Sequence, residues 1–305
     1  FLLDLPSLQA PNGSLLLADR QGPSAEAYLR RQMQPSWLDS SLNFYWWWTI
    51  RLAANTIGRL SKGVTTALQR GFSSGENLHY AYQNRPQGWT WLGRRIDRFY
   101  LTQPGFVHVR TRRQNLLNLL EESVLLAGRR QLKIVDLAGG PAHYLLDLLQ
   151  SNRDAHWEVV VNDFDPSSVA AGQRLAEQLG ESRIRYQRGD GLDPDYIATL
   201  GPCDIVVASG FFEQYPQNPP VQKALKAISQ ALKAEGRLLC TNMPQTPLMD
   251  ILAHCFHHAD GSPWLMRGRS NAEIDDLLLE AGLRCRSRLS DCQGRYSVTL
   301  AEKTQ

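Results

Sequence analysis

The chain has 305 residues, 43% hydrophobic and 21% charged, with a formal net charge of +3. That length and balance suit one large globular domain with an extension, or two small domains; the mild charge argues little about partners. The five cysteines, Cys203, Cys240, Cys255, Cys285 and Cys292, show neither paired metal spacing nor a secreted framework, so a cytoplasmic, reducing home is the simplest expectation. No signal peptide is visible, and the chain begins at Phe1 rather than methionine, which leaves an upstream segment open.

Residues 1–35 read as loop with a short helix from Ser24 to Met33, and carry no visible chemistry. From Leu42 to Arg70 the apolar residues Trp46, Ile50, Ala53, Ile57, Leu60, Val64 and Ala67 recur at steps of three and four. That spacing predicts one amphipathic helix, opened by the aromatic run Phe44–Trp48. Arg51 interrupts the only candidate membrane-spanning run. Two readings of the helix stand: its apolar face packs on the rest of the chain, or it lies in a lipid interface as a peripheral membrane contact over residues 42–70. From Ser36 to Arg113 eleven basic residues face three acids, a balance of +8 that leaves −5 for the remainder. Such asymmetry suits a phosphate-bearing surface; no nucleic-acid motif is present, so lipid ranks first. Gly71–Gly88 reads as turns, Thr90–Tyr100 as a helix and Arg113–Leu126 as another.

The central stretch follows. Lys133–Asp136 is an apolar strand ending in a carboxylate, then comes the small-residue turn Leu137-Ala138-Gly139-Gly140-Pro141-Ala142, then a leucine-rich helix. Small residues allow a sharp turn and close ligand approach, and the helix start offers free N–H groups. A second strand, Trp157–Asn162, ends at Asp163, the place where an acid holds a ribose through its hydroxyls. Asp165 precedes Pro166 and reads instead as a helix cap. Further strands are expected at Ile184–Gln187, Asp204–Ala208, Arg237–Thr241, Leu283–Leu289 and Arg295–Ala301. Helices are expected near Pro166–Leu179, Pro194–Thr199, Pro219–Ala234, Pro247–His258 and Asn271–Ala281. The alternation predicts an α/β, Rossmann-like sheet of seven strands with helices on both faces, plus the N-terminal helical extension. The domain boundary is placed between residues 112 and 113.

From about Lys133 to Lys303 the chain resembles a class I S-adenosylmethionine-dependent methyltransferase. The family's turn reads D/E-x-G-x-G-x-G; here Gly140 is kept and Ala138 and Ala142 replace glycines. Alanine is compatible with that turn where φ is negative. A closer resemblance, from about Gly75 to the end, is to a bacterial methyltransferase group sometimes fused to α/β-hydrolase or phosphatidyltransferase domains. It rests on Tyr82–Gly88, Leu92–Leu101, Ser209–Glu213, Thr241–Pro244 and Trp264–Arg267. The resemblance implies S-adenosylmethionine as cofactor, held by Asp136, Ala138, Gly139, Gly140, Asp163, Phe164, Asp190, Gly191 and Ser209. It also implies a lid from the Tyr80–Tyr100 region and an antiparallel end to the sheet. Asp190 serves equally as a turn residue in Gly189-Asp190-Gly191.

Glu213, Tyr215 and His143 are the candidate catalytic residues. Glu213 and Tyr215 follow the fourth strand at the ligand edge and either act on a substrate proton or are structural. His143 is a base or merely covers the cofactor. Asn242, ending the fifth strand, is a further substrate contact. His254, Cys255, His257 and His258 lack an acidic or cysteine partner at ligand spacing, so no metal is expected. The function expected is methyl transfer to a small or amphipathic, lipid-type substrate. The alternative is a cofactor-binding module that partners an upstream domain. Oligomeric state and the acceptor atom are not legible.

Overall fold

The computed structural model describes residues 40–72, 74–128, 131–244 and 266–304. The expected helices Ser24–Met33 and Pro247–His258, with the His254–His258 cluster, lie outside them.

Seven strands form one sheet in the order β3-β2-β1-β4-β5-β7-β6. They are β1 Gln131–Leu137, β2 His156–Asp163, β3 Ile184–Arg188, β4 Cys203–Ala208, β5 Leu232–Asn242, β6 Leu283–Ser290 and β7 Ser297–Lys303. The first five run parallel, and β7 runs antiparallel to both β5 and β6. The strand order reverses between β1 and β4, which makes the carboxyl ends of those strands the ligand-binding crevice of such a sheet.

The parallel strands are apolar on both faces because both faces are covered. Alternate residues part to opposite sides. Val135, Val160 and Val206 share one core with Val221, Leu225 and Ile228. Ile134, Val159 and Ile205 share the other with Leu116, Leu120 and Leu145. The first layer is built by α8 Pro194–Leu200, α9 Asn218–Ala231 and α10 Asn271–Glu280; the second by α5 Pro104–Ala127, α6 His143–Ser151 and α7 Pro166–Leu179. α5 begins nine residues earlier than its periodicity suggested, because Pro104 is preorganised for a first helical turn. It runs unbroken through residues 112 and 113.

The extension differs most from expectation. Leu42–Arg70 is not one helix but α1 Ser40–Asn55, a 3-10 turn Ile57–Leu60 and α2 Lys62–Arg70. Ser61 breaks it: its hydroxyl caps α2 by accepting from Val64 N–H at 3.0 Å and also donates to the buried Asp97 carboxylate. Asp97 collects Gly63 N–H at 3.0 Å, Gln87 N–H at 2.8 Å and the Tyr80 hydroxyl as well, so one side chain gathers four segments. The expected turn region holds a helix, α3 Gly75–Gln83, followed by α4 Trp91–Leu101. Val64, Ala67, Tyr80, Leu101, Phe106 and Val109 form a third core. Ile50, Leu60, Val64 and Ala67 of the predicted apolar face turn inward, whereas Trp46, Ala53 and Ile57 remain exposed. Among the described residues no helix is long and apolar enough to cross a membrane.

Candidate functional site

The turn after β1 is tighter than alanine prefers. Ala138 and Ala142 take φ of 55° and 48°, and Gly140 takes 57°. The expectation of negative φ at the two alanines is therefore corrected. The left-handed region costs a non-glycine residue about 1–2 kcal/mol. The turn is over-determined by its neighbours: Gly139 N–H donates to Asn162 O at 3.0 Å, and the Tyr186 hydroxyl donates to Pro141 O at 2.9 Å. At Gly139 a side chain is impossible, since a Cβ there would lie 2.3 Å from Asp136 Oδ2.

Asp163, at the end of β2, accepts Gly140 N–H on one oxygen and Asp165 N–H on the other, both at 2.9 Å. Burial nevertheless raises its pKa. A carboxylate with one bond per oxygen keeps acceptor capacity for two hydroxyls. Asp165 caps α7, accepting from Ser167 N–H at 2.9 Å, as its place before Pro166 predicted. Asp136 is fully buried; the Tyr144 hydroxyl donates to its Oδ2 at 2.7 Å. Burial pushes the Asp136 carboxyl up to about 7.

The remaining cofactor candidates flank these. Phe164 is 66% exposed with the Arg188 guanidinium over its ring. Asp190 is exposed and accepts Leu192 N–H at 2.9 Å, a turn role. Gly191 is buried, and a Cβ there would come within 2.9 Å of Phe211. Ser209 is half-buried at the end of β4. Tyr215 meets Phe211 edge-on at 5.4 Å; burial, then Asp190 and Asp163, lift its hydroxyl to about 12. Tyr215 thus belongs to the side of the cleft bearing Asp163.

Past β4 a polar floor is assembled from distant parts of the chain. Gly210, with φ of 69°, donates its N–H to Thr241 Oγ1 at 2.6 Å, and Thr241 donates to Glu213 Oε1 at 2.7 Å. Glu213 is 2% exposed, and burial raises its pKa against the field of Arg112. The buried Arg112 guanidinium crosses Gly210, 3.1 Å from where a Cβ would stand, and lies over the Tyr296 ring at 5.5 Å. Asn242 donates to Arg269 O at 2.7 Å. Arg269 holds the segment in place, donating to Phe212 O at 2.8 Å and Tyr215 O at 2.7 Å. Arg112 and Thr241 were not found from sequence as site residues. The available signal was Arg112 itself, set between Val109 and Leu116 on the buried stripe of α5.

Among the described residues six buried side-chain polar atoms have no hydrogen-bond partner. Five meet at this edge: Arg112 Nε, Asp136 Oδ1, Asn162 Oδ1, Glu213 Oε2 and Asn242 Oδ1. Leaving such an atom unpaired costs about 1–3 kcal/mol, so their gathering at one end marks it as built for a ligand.

α3 covers the turn. A Cβ at Gly75 would come within 2.7 Å of Pro141 Cδ, and the His79 and His143 rings stack at 3.8 Å. Burial, then His79, lowers His143 to about 4, so it is neutral at pH 7 and covers the turn. Of the expected lid region, α3 meets the turn after β1 while α4 packs on the 57–60 turn of the extension. A depression of about 500 Å³ lies at the opposite end, between Gln131, Lys133, His156, Glu158 and Lys233. Strands begin there, whereas ligands of this sheet type bind where strands end.

Comparison with known proteins agrees with this fold. The chain is 33% identical over 292 residues to Escherichia coli (strain K12) YnbC, described as an uncharacterized protein. The alignment covers 93% of this chain and 49% of YnbC, so the chain spans about half the length of that relative. A crystal structure from Bordetella parapertussis, described as a possible exported protein, superposes with a TM-score of 0.64 at 18% identity, covering 91% of this chain and 94% of that one. Magnesium protoporphyrin IX methyltransferase from Synechocystis PCC 6803, solved with bound SAH, superposes with a TM-score of 0.52 at 15% identity, covering 77% and 98%. The fold is that of the class I methyltransferases. A family model described as "Putative methyltransferase" matches residues 1–303, and the protein belongs to that methyltransferase family.

Proposed function

We propose that the protein transfers a methyl group from S-adenosylmethionine to a small or amphipathic acceptor bound beside Gly210. The observation that carries this reading is the division of the unpartnered atoms into two groups. Asp136 and Asn162 lie under the first turn; Arg112 comes from α5, Glu213 from the segment after β4 and Asn242 from the end of β5.

The first group fits the cofactor. Asp163 would take the ribose hydroxyls, Asp136 the amino end, and Gly139–Gly140 allow the backbone to approach closely. Gly191, with Phe211 and Tyr215 beside it, would bound the adenine. When bound, S-adenosylmethionine supplies an electrophilic methyl carried on a sulfonium. The second group then does the protein's share: orientation and electrostatics. Arg112 offers a fixed cation to a polar or anionic acceptor group. Glu213, its pKa raised by burial, offers Oε2 to an acceptor proton. A lipid-type acceptor is the version of this reading that the basic, aromatic extension supports.

The test is methyl transfer from radiolabelled S-adenosylmethionine to fractionated lipid and polar extracts. Label in an extract fraction, abolished in Asp163→Ala, is expected. Cofactor binding without label in any fraction would instead favour a cofactor-binding module serving a longer protein, a reading motivated by the double length of YnbC.

A further inference from the structure

The extension carries a surface that its own core does not explain. Trp46, Trp48, Trp89, Trp91 and Phe99 are exposed by 45%, 53%, 72%, 67% and 70%. Isolated exposed apolar residues are ordinary, but a contiguous set of large aromatics marks an interaction site. Trp89 and the start of α4, with Trp91, are tied to the 57–60 turn through the backbone beneath them. Trp89 N–H donates to Leu60 O at 3.2 Å, and a Cβ on Gly93 would lie 2.2 Å from that same oxygen. The start of α4 is therefore pressed onto the 57–60 turn, which in turn packs on α1. Ile57 on that turn is 59% exposed as well.

Charge selects the partner. On α4, Trp91, Arg95 and Phe99 follow at steps of four, so aromatic and guanidinium groups share one outward face, and Arg95 lies over the Trp91 ring at 5.9 Å. Arg59, Arg94 and Arg98 are also exposed. Across residues 40–103 the only acids are Glu76 and Asp97. Asp97 is fully buried and Glu76 pairs with Arg70 at 3.5 Å, so neither offsets the arginines of α4. Indoles seated at headgroup depth with arginines reaching phosphates is the composition of a helix lying on an anionic bilayer. A protein partner of ordinary composition would leave this many like charges uncompensated.

We infer that the 57–60 turn, Trp89 and α4 form a docking face for an anionic lipid bilayer. The site is not the single amphipathic helix over residues 42–70: α2 packs Val64 and Ala67 into the core, and α4 lies outside that range. The face is distinct from the cofactor edge, so it stands or falls independently of the reaction proposed above.

The experiment is co-sedimentation of the full chain with vesicles of phosphatidylglycerol and phosphatidylcholine, against vesicles of phosphatidylcholine alone. Binding to the anionic vesicles, weakening as salt shortens electrostatic reach, is expected. Each arginine near the surface contributes about fivefold in partitioning, from about 1 kcal/mol, so R94Q/R95Q/R98Q should lower it roughly a hundredfold. Trp89→Ala with Trp91→Ala should lower it on both vesicle types, while Leu279→Ala, at an exposed apolar site on α10, should leave it unchanged. All these positions are exposed, and unchanged thermal melts verify folding. Equal binding to both vesicle types, no binding, or binding indifferent to the α4 substitutions overturns the inference. So does a concentration-dependent dimer that R94Q/R95Q/R98Q dissociates, which would make the face a contact between copies.

Discussion

Replacing Asp136 by asparagine measures what the site costs the fold. The carboxyl is fully buried, and burial lifts its pKa from 3.8 to about 7. The unfolded chain releases that proton near pH 4, the folded protein only near 7. Between those values the folded state binds more protons than the unfolded one, so stability falls as pH rises through the window. At about 1.36 kcal/mol per pH unit the separation is worth about 4 kcal/mol, present as a penalty at pH 8 and absent near pH 4. Asparagine keeps the shape and can still accept from the Tyr144 hydroxyl, but it never ionises. Asp136→Asn is therefore expected to stabilise the protein by about 2–4 kcal/mol at pH 8 and by little at pH 4, read from urea midpoints at both. The same variant should bind S-adenosylmethionine more weakly at pH 8, because the anion facing the amino end is gone. Parallel stability–pH curves for the variant and the parent would refute the reasoning, since they would mean that Asp136 is not held protonated by burial.

Three further predictions concern the same edge. Asp163→Ala should weaken S-adenosylmethionine binding by about 1.5–3 kcal/mol, the range for hydrogen bonds to a charged group, and unchanged affinity would place the ribose elsewhere. Glu213→Gln should lower turnover while cofactor affinity stays nearly constant; equal loss of both would make Glu213 structural. Ala138→Gly should raise the unfolding free energy by up to about 1 kcal/mol, seen as a higher urea midpoint, relief of left-handed strain being partly offset by the entropy of glycine in the unfolded chain. A lower midpoint would show that the turn is not strained there.

The sheet was legible because its signals are local. Ile134-Val135, Val159–Val161 and Ile205–Val207 can only be doubly covered strands; Asp163 stands at the end of its strand, as expected, and Asp165 declares its capping role by standing before a proline. The extension was misread where tertiary bonds override periodicity. The apolar repeat from Trp46 to Ala67 continues across Ser61, but Ser61 and Gly63 are claimed by Asp97, more than thirty residues later in the chain. α3 was hidden by its flanking glycine and proline, although Ser74 caps it by accepting from Asn77 N–H, a start signal readable in the sequence. The left-handed φ of Ala138 and Ala142 has no sequence signature, because alanine is chosen there against its own preference. Arg112 counted only toward a charge balance; its place beside Gly210 and Tyr296 is set by packing between residues as many as 184 apart.

The most direct test of the central claim is isothermal titration of the full chain with S-adenosylmethionine and with its demethylated product, set beside NAD. Saturable binding of both sulfur ligands is expected, weakened roughly tenfold to a hundredfold in Asp163→Ala, with no tight binding of NAD. Tight NAD binding, or no heat from either sulfur ligand, would contradict the methyltransferase reading of this edge.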